Sequence, residues 1–549
     1  MVPTGTSPSA ASVPWALLAY GLLCLTLLRQ AARLLNRMWW RPRRLERALR
    51  AQGLHGTPYR LLAGDLREHA RLCREAWSRP LPLRCHDVAP RVAPFLCRVV
   101  REHGNPPAPC CLSWFGPVPR VIVTDPAVAR DVLNNKFGHL EKPSFRALTR
   151  LLAEDVAGLE GEKWVRHRRI LRDGGSGGAR APQQLRLRPC STPPSISRSS
   201  SMLPAFAACC EELVGRWAES AGSDGSCELD VWPELQNLTG DVISRTAFGS
   251  SYLEGRRIFQ LQAEQGERLV ATIQKLIIPG YLYFPTRNNR RMYEINDEVT
   301  SLLRGLIEKR MRAMKEGDSG GKDDLLGLLL ESNMRHTDEH GQPSLGMTTE
   351  DVVEECRLFY FAGMETTSVL LTWTMVLLSM HPEWQDRARE EVRVLFGRNK
   401  PEYDGLSRLK TVTMILHEVL RLYPPFTTIS RKTYKDVEIG GVTYPAGAVV
   451  DLPVLLIHHD AEIWGSDVHE FRPDRFAEGV SGAPPAFFPF GWGPRTCVGQ
   501  NFALLEAKMA LTMILQRFEF ELAPSYTHAP HTVITLQPMH GAQIKLKAI

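Results

Sequence analysis

The chain has 549 residues, of which 44% are hydrophobic and 23% are charged. This composition excludes a disordered protein and a small disulfide-stabilised domain, because the chain can bury a large core. Its twelve cysteines include no CxxC pair, which argues against zinc ribbons and thioredoxin-type sites and favours a reducing compartment. Eight arginines and one glutamate between residues 29 and 50 account for the whole net charge of +7. A nucleic-acid enzyme would instead spread its basic residues over a groove.

The N-terminal residues 1–28 carry no charged side chain, and Val13–Leu28 form a nearly unbroken apolar run. The run is shorter than the roughly 20 residues of a full membrane span, but Trp15 and Tyr20 suit a membrane interface. Because the arginines follow this run, the positive-inside rule places the rest of the chain in the cytosol. We predict an uncleaved signal anchor over 1–28 and a basic, Pro/Gly-containing hinge over 29–60. A cleaved signal peptide and a helix lying on the membrane surface are the alternatives.

Helical periodicity dominates the remaining residues, 61–549, which we predict to form one domain. The clearest predicted helices are Ala205–Trp217, Glu298–Met314, Thr348–Met380, Trp384–Leu395, Val412–Leu422 and Gln500–Phe518. Strand patterns are few and short, at Arg120–Thr124 and at Val437–Val450 around a Gly-Gly turn. The predicted fold class is therefore mainly α with small β-sheets.

One segment, Arg172–Ser201, interrupts a helical pattern. It is rich in Gly, Pro, Ser and Arg and lacks apolar periodicity. Such a composition cannot bury enough apolar surface to order itself, so we predict an atypical, disordered insertion over 172–201.

The strongest chemical signal is the stretch Phe490-Gly-Trp-Gly-Pro-Arg-Thr-Cys-Val-Gly499. A glycine-rich loop leads to Cys497, and an apolar helix is predicted to begin directly after it. The positive end of the helix dipole and the unpaired backbone N–H groups there lower the pKa of a thiol and favour the thiolate. The glycines let the backbone approach a flat group closely. Such a thiolate suits an axial iron ligand, and the alternative is a buried structural thiol.

This loop resembles the haem-binding pattern of the cytochrome P-450 superfamily. The matching positions are Phe490, Gly493, Arg495, Cys497 and Gly499. Longer stretches, such as Phe359-Tyr-Phe-Ala-Gly-Met-Glu-Thr-Thr367 and Leu420-Arg-Leu-Tyr-Pro-Pro425, are similar to the plant branch that includes secologanin synthase. The resemblance implies the cytochrome P-450 fold, in which haem b lies between a long central helix and the cysteine loop. It makes Cys497 the axial ligand of the iron and residues 61–549 a haem-thiolate domain.

The segment Ala362-Gly-Met-Glu-Thr-Thr367 lies in a helix predicted to begin near Thr348 and to end before Pro382. Glu365 is the only charged residue between positions 358 and 380, so a second membrane span is the alternative to a core helix. In the resembling family, Ala362 and Gly363 leave room for dioxygen beside the haem, and Glu365 and Thr366 relay protons to it. A hydroxyl next to a buried carboxyl is suited to such a relay.

Two further motifs concern charged side chains. Glu418 and Arg421 lie at i and i+3 among apolar neighbours, and the resemblance adds Arg475 from Phe471-Arg-Pro-Asp-Arg-Phe476 as the third member of a structural cluster. On a solvated helix face the same pair would contribute little to stability and would not indicate a structural role. The other motif is Trp164-Val-Arg-His-Arg168. The resemblance implies that Trp164, Arg168, Arg431 and Arg495 bind the two haem propionates, a plausible balance of charge.

The resemblance implies a membrane-anchored monooxygenase that oxidises a small lipophilic, terpenoid-like plant metabolite with O2. No GxGxxG or flavin motif is evident, so electrons from NADPH require a separate reductase as partner, on the endoplasmic reticulum membrane. We expect the substrate pocket to involve the loop after Glu141, residues 253–284, the helix before Thr366 and residues 426–429. Relatives that isomerise peroxides commonly lack the helix threonine, so Thr366 argues against that reaction. The remaining alternative is a haem-free ligand-binding remnant disrupted by the 172–201 insertion, which a gene-model error could have produced.

Overall fold

The computed structural model describes residues 12–104, 110–135, 138–143, 151, 155–173, 196–223, 225–249, 252–273, 280–316, 324–334 and 346–549. Statements about the structure refer to these residues. The helices of the N-terminal half are α1 (Ser12–Leu35), α2 (Arg41–Arg50), α3 (Leu66–Trp77), α4 (Ala89–Val92), α5 (Pro94–His103), α6 (Pro126–Asn134), α7 (Gly161–Asp173), α8 (Ile196–Glu219), α9 (Val231–Phe248) and α10 (Tyr252–Ile273).

The helices of the C-terminal half are α11 (Arg287–Lys315), α12 (Leu325–Met334), α13 (Thr349–Met380), α14 (Pro382–Phe396), α15 (Tyr403–Arg408), α16 (Thr411–Leu422), α17 (Val454–His458), α18 (Ala461–Trp464) and α19 (Gln500–Leu515). The strands are β1 (His55–Gly56), β2 (Cys110–Phe115), β3 (Val118–Val123), β4 (Leu140–Glu141), β5 (Ser226–Asp230), β6 (Ile429–Thr433), β7 (Val437–Ile439), β8 (Val442–Tyr444), β9 (Val449–Leu452), β10 (Phe518–Leu522), β11 (Pro530–Thr532), β12 (Leu536–Pro538) and β13 (Gln543–Ala548).

The strands form small sheets beside a helical body, as the sequence predicts. A six-stranded mixed sheet has the order β1-β2-β3-β9-β6-β4, and a three-stranded antiparallel sheet has the order β10-β13-β5. The hairpins β7–β8 and β11–β12 are separate. In the large sheet, β3 pairs in parallel with β9, with Arg120 opposite Val449. Both predicted strand regions are therefore confirmed.

Helix α13 is the central element of the helical body. Its start is fixed by a capping box, in which the Thr348 hydroxyl accepts a hydrogen bond from the Asp351 N–H at 3.1 Å and the Asp351 carboxylate accepts one from the Thr348 N–H at 3.0 Å. Pro382 begins the next helix. Two described helices are long and apolar enough to cross a membrane, but 78% of the apolar window in α13 is buried inside the protein. We conclude that α13 is a core helix.

The other such helix begins in the predicted anchor, whose apolar side chains are exposed, as shown by Trp15 at 74%. The central part of the predicted hinge over 29–60 is helical in the structure. A π-helical segment, Asn36–Trp40, joins α1 directly to α2, and Pro42 lies in the first turn of α2, directly after the π-helical segment. The Arg41 guanidinium donates to the Ala446 carbonyl at 3.0 Å, so this helix is attached to the domain.

Two other predicted boundaries differ from those in the structure. Residues 174–195 of the predicted insertion lie outside the described residues, but its flanks do not form a loop, because α7 extends to Asp173 and α8 begins at Ile196. A helix anchored by buried Leu203 and Phe206 gains one hydrogen bond for each residue it adds. Helix α19 ends at Leu515 rather than Phe518, because Phe518 pairs with Ala548 in the three-stranded sheet.

Candidate functional site

The cysteine loop is held by its own backbone before α19 begins. The Cys497 N–H donates to the Phe490 carbonyl at 2.8 Å, and the Thr496 N–H donates to the Gly493 carbonyl at 3.1 Å. Gly493 has φ +71°, and a Cβ there would lie 2.8 Å from the Leu133 carbonyl oxygen at the end of α6. Only glycine permits this close approach of loop and helix.

The Cys497 side chain is accessible to solvent, although the surrounding protein desolvates its thiol. Burial raises the pKa of its thiol, and the Gly499 N–H, Arg168 and Lys142 oppose that rise. The Gly499 N–H at the start of the helix lowers this pKa as predicted, but desolvation of the thiol outweighs it in the polypeptide alone, so the net shift is upward. A coordinated metal ion deprotonates a thiol outright, so the donor still suits iron.

Basic side chains from four parts of the chain meet next to this loop. The Arg168 guanidinium donates to the Thr496 carbonyl at 2.6 Å, and the Arg495 guanidinium donates to the Leu159 carbonyl at 2.7 Å and pairs with Glu160. Helix α7, which carries Trp164 and Arg168, is fixed to α13, because His167 Nδ1 lies 2.6 Å from a Glu355 carboxylate oxygen. The structure therefore brings the predicted propionate-binding residues to the cysteine loop.

The positive charges of this cluster favour binding of an anionic ligand. Burial, with Arg431 and Arg495 nearby, lowers the pKa of Lys142 to about 8. Burial and Arg495 lower the pKa of Arg431 to about 10. The Nη1 atom of Arg495 is buried and has no hydrogen-bond partner in the described part of the chain. Two carboxylates would satisfy these cations, so the residues present fit haem b.

Two residues of the sequence motif in α13, Gly363 and Thr366, have different surroundings. Gly363 points at α9, where a Cβ would lie 2.8 Å from Ile243 Cγ1. The resemblance assigned Gly363 to a space for dioxygen, but in this chain its missing side chain serves close packing of two helices. The Thr366 hydroxyl donates to the Ala362 carbonyl at 2.8 Å, within the same helix.

The Glu365 carboxylate is buried and bonds to a different part of the chain from Thr366. It accepts hydrogen bonds from the Thr535 hydroxyl at 2.6 Å, from the Gln537 amide, and from the Gln236 amide at 3.5 Å. The two predicted relay residues are thus neighbours in sequence, but their polar atoms bond to different partners.

Helix α19 packs against this segment of α13. Its Glu506 lies beside Thr367 and is 1% exposed. Burial raises the pKa of Glu506 well above its usual value, opposed by the Thr367 hydroxyl. Because α19 begins just after Cys497, this contact brings the cysteine loop and the motif of α13 to one region of the protein.

The predicted cluster of Glu418, Arg421 and Arg475 forms, and both partners of its central pair are fully buried. The Arg421 guanidinium donates twice to the Glu418 carboxylate, both at 2.8 Å, and also to the His458 carbonyl at 2.9 Å. Arg475 lies 3.5 Å from Glu418 and donates to the Trp464 carbonyl at 3.0 Å. The hydrogen bonds of the Glu418–Arg421 pair compensate for the burial of its two charges, which indicates a structural role.

A largely apolar cavity of about 250 Å³ lies beside the same segment of α13. Its lining residues are Lys142, Pro143, Leu151, Asp155, Ala157, Gly158, Gln262, Gln265, Ile295, Asn296, Val299, Arg357, Leu358, Phe361 and Ile534. The loop after Glu141, the 253–284 region and the helix before Thr366 contribute as predicted. Residues 426–429 do not line this cavity, whereas α11 and the β11–β12 hairpin do.

Sequence reasoning missed four residues of the site. Lys142 and Glu160 complete the charged cluster, and Thr535 and Gln537 bind Glu365. Lys142 stands in the loop after Glu141, which the sequence predicts to lie at the substrate pocket, and this was the signal available for it. The contacts of the others join parts of the chain that are far apart in sequence.

Comparison with known proteins agrees with this geometry. The family model described as Cytochrome P450 matches residues 95–545. The chain is similar to cytochrome P450 CYP72A616 of Paris polyphylla, with 58% identity over 512 residues, covering 93% of this chain and 94% of the relative. It is 48% identical over 516 residues to cytochrome P450 72A15 of Arabidopsis thaliana, covering 93% and 95%. It is 47% identical over 520 residues to cytochrome P450 CYP72A219 of Panax ginseng, covering 94% and 96%.

A mainly helical fold with small sheets, a cysteine at the start of a helix and a cation cluster define a haem-thiolate class of protein. The chain belongs to the cytochrome P450 family, in its plant CYP72 branch. It is a monooxygenase of the kind that uses haem b, with an N-terminal apolar helix consistent with a membrane anchor. The predicted family and plant branch are therefore confirmed.

Proposed function

We propose that Cys497 is the axial ligand of the haem iron and that Trp164, Arg168, Arg431 and Arg495 hold the propionates. The observation that carries this assignment is the charge-crowded cluster beside the cysteine loop, with the unpaired Nη1 of Arg495. Lys142 belongs to the same group, because burial, together with nearby Arg431 and Arg495, lowers its pKa. Phe490, Gly493 and Gly499 shape the loop.

The proposed substrate is a small lipophilic, terpenoid-like metabolite bound in the cavity beside α13. The apolar lining formed by Leu358, Phe361, Ile295 and Ile534 supports this class. Haem supplies the activation of dioxygen; one oxygen atom enters a C–H bond as a hydroxyl group, and the other leaves as water. NADPH supplies two electrons and one proton, and one further proton comes from solvent, so the atoms balance.

The proposed electron donor is a separate NADPH-dependent reductase on the endoplasmic reticulum membrane, with the catalytic domain in the cytosol. The exposed apolar helix α1 and the arginines that follow it support this location. The chain's own contribution to the chemistry is a proton relay through Glu365 and Thr366. The burial of the carboxylate and its position next to a hydroxyl in the same helix support this role.

The ligand assignment is tested with the full chain carrying Cys497→Ser, purified with haem. We expect a carbon monoxide difference spectrum of the thiolate type for the native protein and its loss in the variant. Cys356→Ser is the matched control, because Cys356 is buried in α13 and should leave the spectrum unchanged. An unchanged spectrum in Cys497→Ser, or a native protein that takes up no haem, would overturn the proposal. The second result would favour the haem-free remnant.

The relay is tested with Thr366→Ala. We expect this variant to bind haem normally while a larger share of NADPH oxidation yields hydrogen peroxide. Thr374→Ala serves as the control, since its hydroxyl donates to the Leu370 carbonyl of the same helix at 2.7 Å with the same spacing. Equal peroxide yields from the native protein and Thr366→Ala would contradict the relay role.

A further inference from the structure

The short C-terminal hairpin formed by β11 and β12 contacts two parts of the site at once. Its tip residue Ile534 lines the cavity beside α13. The next residue, Thr535, is fully buried and donates from its hydroxyl to the Glu365 carboxylate at 2.6 Å. One peptide bond therefore separates a residue that would touch the substrate from a residue that binds the relay carboxylate.

We propose that this hairpin is a positioning element, which holds the Glu365 carboxylate through Thr535 and Gln537 and links its position to the occupancy of the cavity through Ile534. This inference rests on the proposed relay through Glu365 and Thr366. It assigns Thr535 and Gln537 as positioning residues, which act through Glu365 and do not touch the reacting atoms.

The bonding of the carboxylate supports the first half of the proposal. Oε1 of Glu365 accepts from both Thr535 and Gln537, and the Gln537 amide also donates to the Thr535 hydroxyl at 3.3 Å. Oε2 accepts from Gln236 on α9 at 3.5 Å. These donors are all neutral, so they fix the direction of the carboxylate by geometry, without the attraction of a full positive charge. Burial of a carboxylate without such donors is unfavourable.

The base of the hairpin is fixed by hydrogen bonds, and its tip packs against a neighbouring helix. The Trp373 indole donates to the Leu536 carbonyl at 2.7 Å, and the Leu536 N–H donates to the Pro425 carbonyl at 3.0 Å. At the tip, Ile534 packs against Gly266 of α10, where a Cβ would lie 3.0 Å from its Cδ1 atom. Ile534 therefore lies between α10 and the cavity, directly before Thr535.

The consequence concerns where the carboxylate is held when the cavity is occupied. In the structure, the hairpin holds the Glu365 carboxylate through Thr535. A ligand that contacts Ile534 would act, through the adjacent Thr535, on the position of this carboxylate. The hairpin thus couples substrate binding to proton delivery.

The first experiment needs no known substrate. The full-length holoprotein is combined with a plant P450 reductase and NADPH, and hydrogen peroxide formed per NADPH consumed is measured. Reduction of O2 to peroxide uses one NADPH and one proton, and its reduction to two waters uses two of each. Because O–O cleavage needs delivered protons, we expect Thr535→Val to raise the peroxide yield at least twofold. Thr535→Ser should restore the native yield.

The matched control is Thr532→Val, in the same hairpin. The Thr532 hydroxyl is buried and has no hydrogen-bond partner among the described residues, so its loss should leave the peroxide yield unchanged. A native yield in Thr535→Val together with a raised yield in Glu365→Gln would overturn the positioning role while the relay stands. A native yield in Glu365→Gln would remove the relay itself, and the proposal with it.

The second experiment measures how readily the hairpin backbone opens, in the absence of catalytic turnover. Amide hydrogen exchange of residues 533–537 is measured by mass spectrometry on the resting holoprotein. We expect Glu365→Leu and Thr535→Val each to speed this exchange at least tenfold. Gly266→Ala, which presses on Ile534, should also speed it, whereas Gly305→Ala should not, because a Cβ at Gly305 meets nothing within 4 Å. Unchanged exchange in Gly266→Ala would overturn the link to the cavity.

Discussion

The guanidinium carbon of Arg495 lies 4.4 Å from the centroid of the Trp164 indole ring. The arginine comes from the cysteine loop and the tryptophan from α7, so this stacking contact joins two elements that both face the proposed propionate site. Arg495 also pairs with Glu160, which fixes one edge of its guanidinium and leaves Nη1 free of hydrogen bonds among the described residues.

We expect Trp164→Ala to weaken haem retention, because it removes the ring that orients Arg495. A cation–π contact contributes about 1–2 kcal/mol when it is partly desolvated, which corresponds to roughly 5- to 30-fold in affinity. Transfer of haem to apomyoglobin measures the effect, and Trp164→Phe should retain part of the native value. Native transfer rates in Trp164→Ala would show that Arg495 is oriented by Glu160 alone.

We expect Glu418→Gln to destabilise the protein by about 3–5 kcal/mol, because it leaves the buried Arg421 charge without its partner. Thermal unfolding of the holoprotein measures the change. Glu390→Gln is a close control, since Glu390 and Arg393 have the same i,i+3 spacing and the same two 2.8 Å bonds, but both side chains are more than half exposed. The control should change stability by less than about 1 kcal/mol. Equal effects of the two substitutions would contradict the assigned structural role.

Gly363→Ala tests whether this glycine serves helix packing. Its Cβ would meet Ile243 at 2.8 Å, and overpacking of this kind costs about 1–3 kcal/mol. We expect a lower melting temperature for Gly363→Ala and a native or higher one for Gly305→Ala, whose Cβ meets nothing. The double variant Gly363→Ala, Ile243→Ala should lose less stability than the sum of the single changes. Simple additivity would mean that the two residues do not compete for space.

Asp155 should make stability depend on pH. Burial, with Glu355 nearby, raises the pKa of its carboxyl from 3.8 to about 7. Between pH 3.8 and pH 7 the Asp155 carboxyl has lost its proton in the unfolded chain but keeps it in the folded protein. Each unit of rising pH in this range therefore lowers the free energy of unfolding by about 1.4 kcal/mol. Above pH 7 the loss is complete and constant.

Asp155→Asn removes this titration and keeps a side-chain oxygen for the Ala157 N–H. We therefore expect the melting temperature of Asp155→Asn, relative to the native protein, to rise between pH 5 and pH 7 and to level off above pH 7.5. A difference that is the same at every pH would show that Asp155 stays ionised in the folded state.

Several features could be predicted from the sequence because each is local. The cysteine loop and the start of α13 are contiguous stretches, and Glu418 and Arg421 share one helix face through their spacing. Their chemistry can be recognised without knowledge of the tertiary structure. The helical body and small sheets follow from periodicity in the same way.

Other features depend on partners that no local pattern reveals. Thr535 and Glu365 are 170 residues apart in the chain, and a threonine in a short hairpin has no sequence mark of a carboxylate partner. For Gly363 the sequence shows that space is needed, but not that Ile243 fills it. The pKa of Cys497 could not be predicted from the helix terminus alone, because its desolvation depends on the surrounding fold.

The continuous helix from α1 through the π-helical segment to α2 has a geometric consequence for the proposed membrane anchor. Arg41 and Arg50 fasten its end to the backbone of the domain, Arg50 through the Gly56 carbonyl at 3.1 Å. Each residue of an α-helix adds about 100° of rotation and about 1.5 Å of rise. The number of residues between the bilayer and Arg41 therefore determines which face of the domain is turned toward the membrane and how far the domain lies from it. Inserting a single alanine after Asn36 would rotate the domain by about 100° around the helix axis, relative to the membrane.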